Sequence, residues 1–163
     1  MKTNDRRYKP FAEWRWRNYD EDTTVNVDDF LNKHKDDYFL IGTDSQNYGS
    51  NNQCVFTTVI IAYKLGKGGS IILHKDKTVF VDALRQRLLL EAMRSLEAAW
   101  YIDSKIDSKN VLEIHLDINE NPLYRSGKYK DELIGLISAQ GYKCIIKPDA
   151  YACCAADKRT KNL

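Results

Sequence analysis

Four carboxylates stand in apolar or small-residue surroundings, where acidic side chains are uncommon. Asp44 directly follows one apolar run, and Asp117 interrupts another. Glu91 lies close to the apolar stripe of a long helical segment, and Asp157 follows two alanines. Removing an unpaired carboxylate from water is costly, so carboxylates beside a core normally have a counter-charge. The four positions therefore predict a cluster of acids that is neutralised by something else.

A hard divalent cation is the simplest such counter-charge, because the two apolar runs contain no equally placed lysine or arginine. Mg²⁺, or Mn²⁺ in its place, accepts carboxylate oxygens and water. Two ions held about 4 Å apart suit phosphodiester hydrolysis, in which one activates water and both stabilise the pentacoordinate phosphate. We expect the catalytic and metal-binding residues to be Asp44, Glu91, Asp117 and Asp157.

Each acid taken alone also has a simpler interpretation. Glu91 would be an exposed helix residue, Asp157 half of an ion pair with Arg159, and Asp44 the cap of the turn that follows it. Four acids at compatible places in one fold favour the metal interpretation over four separate coincidences.

Several polar residues near these acids are candidates for substrate contact. They would reach a phosphate or the water bound to a metal. The candidates are Ser45, Gln46, Asn119, Lys147, Asp149 and Lys158, with Arg15 and Trp16 from the N-terminal end.

Hydrophobic periodicity predicts the elements that must position the acids. Strands are expected at 38–43, 53–64, 70–76, 111–118 and 143–147, and helices at 27–34, 82–103, 130–139 and from 149 to about 161. Short turns join the first three strands, which predicts an antiparallel meander. Alternation of strands and helices afterwards predicts parallel pairing.

The N-terminal segment 1–24 is basic and aromatic and is expected to form an irregular arm before a domain at 25–163. Arg15 would contact phosphate and Trp16 would stack on a base. The alternative is that the arm's tryptophans dock on the domain.

Composition excludes some classes of protein. The 163 residues are 43% hydrophobic with a formal net charge of +2, and they contain no apolar run of membrane-spanning length. The polar N-terminus lacks the apolar core of a secretion signal, which predicts a cytoplasmic protein. The four cysteines show no metal-binding spacing and are expected to be free thiols in a reducing compartment.

Three motifs resemble the YkuK-like family of predicted RNase H-like nucleases, over roughly residues 27 to 162. They are Ile41-Gly42-Thr43-Asp44-Ser45-Gln46, Leu116-Asp117-Ile118-Asn119, and Lys147-Pro148-Asp149-Ala150 leading to Ala156-Asp157-Lys158. The resemblance implies an α/β RNase H-like fold, with a mixed five-stranded sheet, its first three strands antiparallel, and helices on both faces.

The resemblance also implies one metal-binding acid from each of four elements. These positions correspond to Asp44, Glu91, Asp117 and Asp157, with Asp149 as a rival for the fourth. The segment between Asp117 and Asp157 is shorter than in typical RNases H and carries no basic protrusion for gripping an RNA/DNA hybrid.

Three functional hypotheses follow from the sequence. The first is a metal-dependent nuclease acting on RNA, DNA or a hybrid, and the second is a non-catalytic nucleic-acid-binding module with the same fold. The third is a partner protein that uses Trp14 and Trp16 to pack on another subunit.

Overall fold

A computed structural model describes residues 9–48, 53–106 and 112–160, with the side chains of 48 and 77–80 left out. The strands are β1 (Trp16–Asn18), β2 (Thr24–Val25), β3 (Tyr38–Tyr48), β4 (Gln53–Lys64), β5 (Gly68–Phe80), β6 (Leu112–His115) and β7 (Lys143–Ile145). The helices are α1 (Val27–Lys33), α2 (Leu84–Lys105), α3 (Lys130–Ala139) and α4 (Tyr151–Thr160). Short 3₁₀ turns lie at Phe11–Glu13 and Ser126–Tyr129.

The strands form one mixed sheet in the order β2-β1-β5-β4-β3-β6-β7. As predicted, β3, β4 and β5 are antiparallel neighbours, and β6 and β7 run parallel to β3. The expected count of five strands is wrong, because the described residues already form a sheet of seven. The two additional strands, β1 and β2, come from the segment that was expected to be an irregular arm.

The N-terminal segment joins the sheet because its tryptophans are core residues. Trp16 is 2% exposed, and Trp14 stacks on His74 with ring centroids 4.6 Å apart. The His74 ring bonds the Arg15 carbonyl through Nδ1 (2.9 Å) and the Asp76 carboxylate through Nε2 (2.9 Å). These contacts correct two expectations, since Trp16 has no open ring face for a base and the tryptophans pack within their own chain.

The sheet separates two layers of helix. Alternation along β3 directs Thr43 and Ser45 toward α2, where Thr43 Oγ1 lies 2.8 Å from Ser95 Oγ. Gly42, which precedes Thr43, faces α4, where a Cβ would lie 2.7 Å from the Ala152 backbone carbon. Helices α1 and α3 share the α2 side, so helices cover both faces as expected.

Several predicted boundaries are confirmed and others shift. The predicted helix 130–139 and strand 53–64 match α3 and β4, and Asn26 caps α1 by accepting from the Asp29 N–H at 3.0 Å. Strand β3 continues five residues beyond its predicted end, which places Asp44 inside a strand instead of after one. Strand β6 ends at His115, so Asp117 lies two residues beyond it.

Two further expectations concern thiols and membranes. All four cysteines are free, with Cys54 and Cys153 buried. Across the ranges that the structure describes, no helix combines the length and apolar character needed to cross a membrane.

Replacement of Gly42 by alanine should lower the free energy of unfolding by about 1–3 kcal/mol, because the new methyl group overlaps the α4 backbone. Chemical denaturation measures the change. The matched control is Gly135→Ala in α3, where nothing lies within 4 Å of the added Cβ. The control should be stabilised by roughly 0.5–1 kcal/mol, since alanine favours a helix over glycine. Equal stability of Gly42→Ala and the wild type would contradict the close approach of α4 to β3.

Candidate active site

Asp44 lies on β3, an interior strand between β4 and β6, and is 5% exposed. Burial raises the pKa of its carboxyl group to about 7, and the negative charges of Asp117 and Asp157 add to the rise. A hydrogen bond from the Ser45 backbone and the positive charge of Arg87 oppose the rise without cancelling it. An acid with this pKa is protonated in mild acid and ionises as the pH passes through neutrality.

Glu91 reaches the same region from α2 and is also 5% exposed. The Ser45 hydroxyl donates a hydrogen bond to its Oε1 atom, which joins α2 to β3. Burial raises the pKa of Glu91 to about 8, and the charges of Asp44 and Asp117 contribute to the rise. Ser45, one of the expected substrate contacts, therefore holds a carboxyl group of the cluster.

Asp117 is placed beside Asp44 by the pairing of β6 with β3. Gly42 pairs with His115, and continuing this parallel register by two residues brings Asp117 opposite Asp44, on the same face. Asp117 is more open than the other two acids, with 30% of its side chain exposed. Its nearest cation is Lys147, whose Nζ lies 2.6 Å from Asp117 Oδ1.

This ion pair supplies a counter-charge from outside the two apolar runs, which themselves contain no lysine or arginine. The Leu116 N–H bonds the Ile145 carbonyl at 2.8 Å, and the Lys147 N–H bonds the Ile118 carbonyl at 3.2 Å. The two backbone bonds fix Lys147 alongside Asp117. The hydrogen bond to Asp117 raises the pKa of Lys147, so the lysine is firmly charged.

Asp157 projects from α4, and its charge acts on Asp44. Asp149, the rival for the fourth acid, is exposed and lies ahead of α4, where its backbone N–H bonds the Ile146 carbonyl at 3.0 Å. Helix α4 packs on β3 and thereby brings Asp157 close enough for its charge to act on the acid cluster.

The donor set fits a hard divalent ion, because it consists of carboxylate oxygens from β3, α2, the segment after β6, and α4. Asp44 and Glu91 have raised pKa values, which is how buried acids without enough counter-charge behave. However, within the part of the chain that the structure describes, no three acidic, histidine or cysteine side chains form a ready metal-binding group. Ser45 occupies one oxygen of Glu91 and Lys147 one oxygen of Asp117, so the second oxygen of each carboxylate and the carboxylate of Asp44 would be the first ligands of a metal ion.

The remaining expected contact residues are dispersed. Gln46 and Lys158 are exposed, and Arg15 contributes its backbone carbonyl to His74. Asn119 accepts a hydrogen bond from the Asn121 N–H at 2.9 Å, as a turn-forming asparagine does.

An open cleft of about 510 Å³ adjoins the acids and was not predicted from the sequence. Its polar lining residues are Asn47, Asp82, Arg87, Asn119, Tyr124, Arg125, Ser126 and Lys147. The sequence could have indicated one of its arginines, because Arg87 precedes Glu91 by four residues and therefore lies on the same side of α2. The other arginine, Arg125, could not have been found in this way, because it lies in a loop whose course the sequence does not reveal.

The sheet order and the four acids invite comparison with known proteins. A profile of the Ribonuclease H-like family matches residues 22–161, which is most of the chain. The chain belongs to the ribonuclease H-like family. A search of curated proteins finds no match. Membership in the ribonuclease H-like family accounts for the order of the elements, whereas the narrower YkuK-like resemblance stays a prediction.

In metal-free buffer, we expect the protein to lose stability as the pH rises from about 5 to 8.5. Asp44 and Glu91 have folded-state pKa values of about 7 and about 8, above their ordinary values of 3.8 and 4.5. The folded state therefore holds more protons than the unfolded state across this window, and its stability falls as these protons leave.

Asp44→Asn should remove much of this slope and raise the free energy of unfolding at pH 8.5 by ~2 kcal/mol or more, since one pKa unit corresponds to about 1.4 kcal/mol. Denaturation at several pH values, with EDTA present, measures the difference between variant and wild type. Parallel pH profiles for the two proteins would show that Asp44 is not a buried, repelled acid.

Proposed function

We propose that this protein is a metal-dependent nuclease that hydrolyses phosphodiester bonds of RNA, DNA or a hybrid. The observation that carries the proposal is the electrostatic coupling of Asp44 and Glu91 to Asp117, beside the interior strand β3 of a ribonuclease H-like chain. Buried acids that repel one another weaken a fold, so their placement together suits a task that needs them.

The proposal assigns each residue a task that its contacts support. Asp44 and Asp117, side by side on β3 and after β6, would be the principal metal ligands, and Glu91 and Asp157 would complete the set. Bound Mg²⁺ or Mn²⁺, two ions in the fullest form of the proposal, would supply an activated water and charge stabilisation at the phosphate.

Two neighbouring side chains, the Ser45 hydroxyl and the Lys147 ammonium group, would keep the acids in place. Ser45 donates to Glu91 and so orients its carboxyl group from β3. Lys147 is charged and lies between Asp117 and the cleft, where it can turn from the carboxylate to a phosphate oxygen.

Cation binding would also be linked to pH. Asp44 and Glu91 must lose their protons before their oxygens can accept a cation, and proton release accompanies binding. Their pKa values of about 7 and about 8 therefore make the proposed site weak in mild acid and stronger above neutral pH.

Purified protein with Mn²⁺ at pH 8 should cleave at least one labelled nucleic-acid substrate, and both Asp44→Asn and Asp117→Asn should slow it at least ~100-fold because each removes a proposed ligand. Gel analysis of products over time gives the rates. Asp157→Asn should also reduce the rate, whereas Asp149→Asn, a matched change at an exposed site, should leave it within about twofold. Cleavage that is unchanged in both the Asp44 and Asp117 variants would identify a contaminant.

Added Mn²⁺ should raise the melting temperature of the wild type at pH 8, because a ligand that binds only the folded state stabilises it. The rise should be at least several degrees at saturation and should disappear in Asp44→Asn. Differential scanning fluorimetry with Mn²⁺ titrated against an EDTA reference measures it. An equal rise in both proteins would place Mn²⁺ somewhere other than beside Asp44.

A non-catalytic nucleic-acid-binding module is the second candidate. It is favoured by the Lys147–Asp117 ion pair, which already neutralises one acid, and by the missing ready-made metal group among the described residues. Salt-sensitive binding of nucleic acid, with no cleavage in Mn²⁺ or Mg²⁺ and no Mn²⁺ effect on melting, would support this candidate over the nuclease.

A further inference from the structure

We propose that the loop 119–127, together with the cleft beside it, binds one unpaired nucleotide of the substrate strand. Arg125 and Arg87 would hold the phosphate, and Tyr124 would stack on the base. The choice of a nucleic-acid ligand rests on the proposed function, whereas the binding site itself rests on the cleft, its charge and the shape of the loop.

The charge of the cleft suits an anion. Its lining includes three cationic side chains, Arg87, Arg125 and Lys147, and one acidic side chain, Asp82. Lys147 is paired with Asp117, so the two arginines supply the cleft's remaining positive charge. Guanidinium groups bind phosphate oxygens with paired hydrogen bonds, which makes phosphate the anion that this lining fits best.

Internal contacts do not use all of the hydrogen-bonding capacity of Arg87. Its guanidinium group lies near the Cys54 thiol and lowers the pKa of that thiol against the effect of burial. Its buried Nε atom has no hydrogen-bond partner in the described structure. The residue as a whole is only half-buried and lines the open cleft, so a ligand there can approach the guanidinium group.

The loop presents an aromatic face next to these cations. Tyr124 lines the cleft and is 59% exposed. Exposed aromatic rings beside basic groups are the usual platform for unpaired bases, because every base can stack and the phosphate lies close by. A base within a duplex has both faces covered, so this arrangement selects an unpaired nucleotide.

Hydrogen bonds within the loop hold that face in position. The Asn119 N–H donates to Ser126 Oγ at 3.1 Å, and the Tyr124 N–H donates to the Asn121 carbonyl at 3.1 Å. Gly127 permits the tight path, since a Cβ there would overlap the Asn121 carbonyl oxygen. A platform that is already ordered loses little entropy when a ligand binds.

The position of the cleft connects it to the acids. Lys147 lines the cleft and contacts Asp117, and the charge of Arg87 acts on both Asp44 and Glu91. A nucleotide bound here would therefore be a close neighbour of the phosphodiester at the acid cluster. The substrate class that follows is a single-stranded segment, or a duplex with an unpaired end.

The test uses full-length protein carrying Asp44→Asn, which prevents cleavage, in buffer with EDTA. Fluorescein-labelled single-stranded eight-nucleotide RNA and DNA are titrated and followed by anisotropy. Arg125→Gln and Tyr124→Ala in this background should each weaken binding by about tenfold, since each removes one of the two proposed contacts. The matched control is Lys128→Gln, an exposed residue three positions after Arg125, which should weaken binding by less than about twofold.

Competition identifies what the site prefers. Unlabelled single strand should displace the probe at a concentration at least ~10-fold lower than a blunt duplex of the same sequence, because the duplex offers no free base face. Poly-glutamate that competes as well as the single strand would overturn the nucleotide assignment and indicate an acidic protein partner. Inorganic phosphate competing alone as well as the oligonucleotide would overturn the stacking contribution of Tyr124.

The outcomes separate this inference from the nuclease proposal. If the protein cleaves in Mn²⁺ but Arg125→Gln and Tyr124→Ala bind like the Lys128→Gln control, the cleft assignment is overturned and the nuclease stands. If the variants weaken binding as expected but no cleavage is found, the cleft assignment stands and the nuclease proposal fails. Failure of the background protein to bind any single strand overturns the cleft assignment.

Discussion

Burial of two carboxyl groups, to which the charges of neighbouring acids add, is the constraint on which the centre of this molecule depends. Asp44 on β3 and Glu91 on α2 are almost fully enclosed, and the charges of Asp117 and Asp157 oppose the ionisation of Asp44. The raised pKa values favour the protonated forms of Asp44 and Glu91 in mild acid, and Asp117 is paired with Lys147. Cation binding would offer a third way to offset the charge, and its competition with the other two would make the region sensitive to pH and to divalent ions.

Backbone packing brings the acids together. Helix α4 approaches β3 across Gly42, where no side chain separates the two backbones, and this close approach brings Asp157 within reach of Asp44. On the other face, Ser45 joins the same strand to Glu91. Strand β3 therefore supplies one acid itself and, from residues 42 and 45, the contacts that place two others.

The acidic side chains and the basic side chains occupy adjoining regions of the molecule. The acid cluster lies beside β3, while Arg87 and Arg125 line the cleft next to it, and Lys147 belongs to both. This division matches the two needs of phosphodiester chemistry, a site for cations at the reacting phosphate and positive charge for the rest of the strand. The ribonuclease H-like family provides the scaffold, and the loop 119–127 supplies Tyr124, Arg125 and Ser126 to the lining of the cleft.

The sequence by itself determined the order of the elements from α1 onward and singled out Asp44, Glu91, Asp117 and Asp157 as candidate acids, because periodicity and misplaced charge are local signals. It did not reveal the course of the N-terminal segment. Trp14 and Trp16 are core side chains, but the polar residues around them leave no hydrophobic periodicity that would predict a strand. It also gave no sign that Asp117 meets Lys147, a contact set by the pairing of β6 with the chain at 145–147. Only the tertiary structure decided which charges face each other, because strand register and helix approach join residues that are distant along the chain.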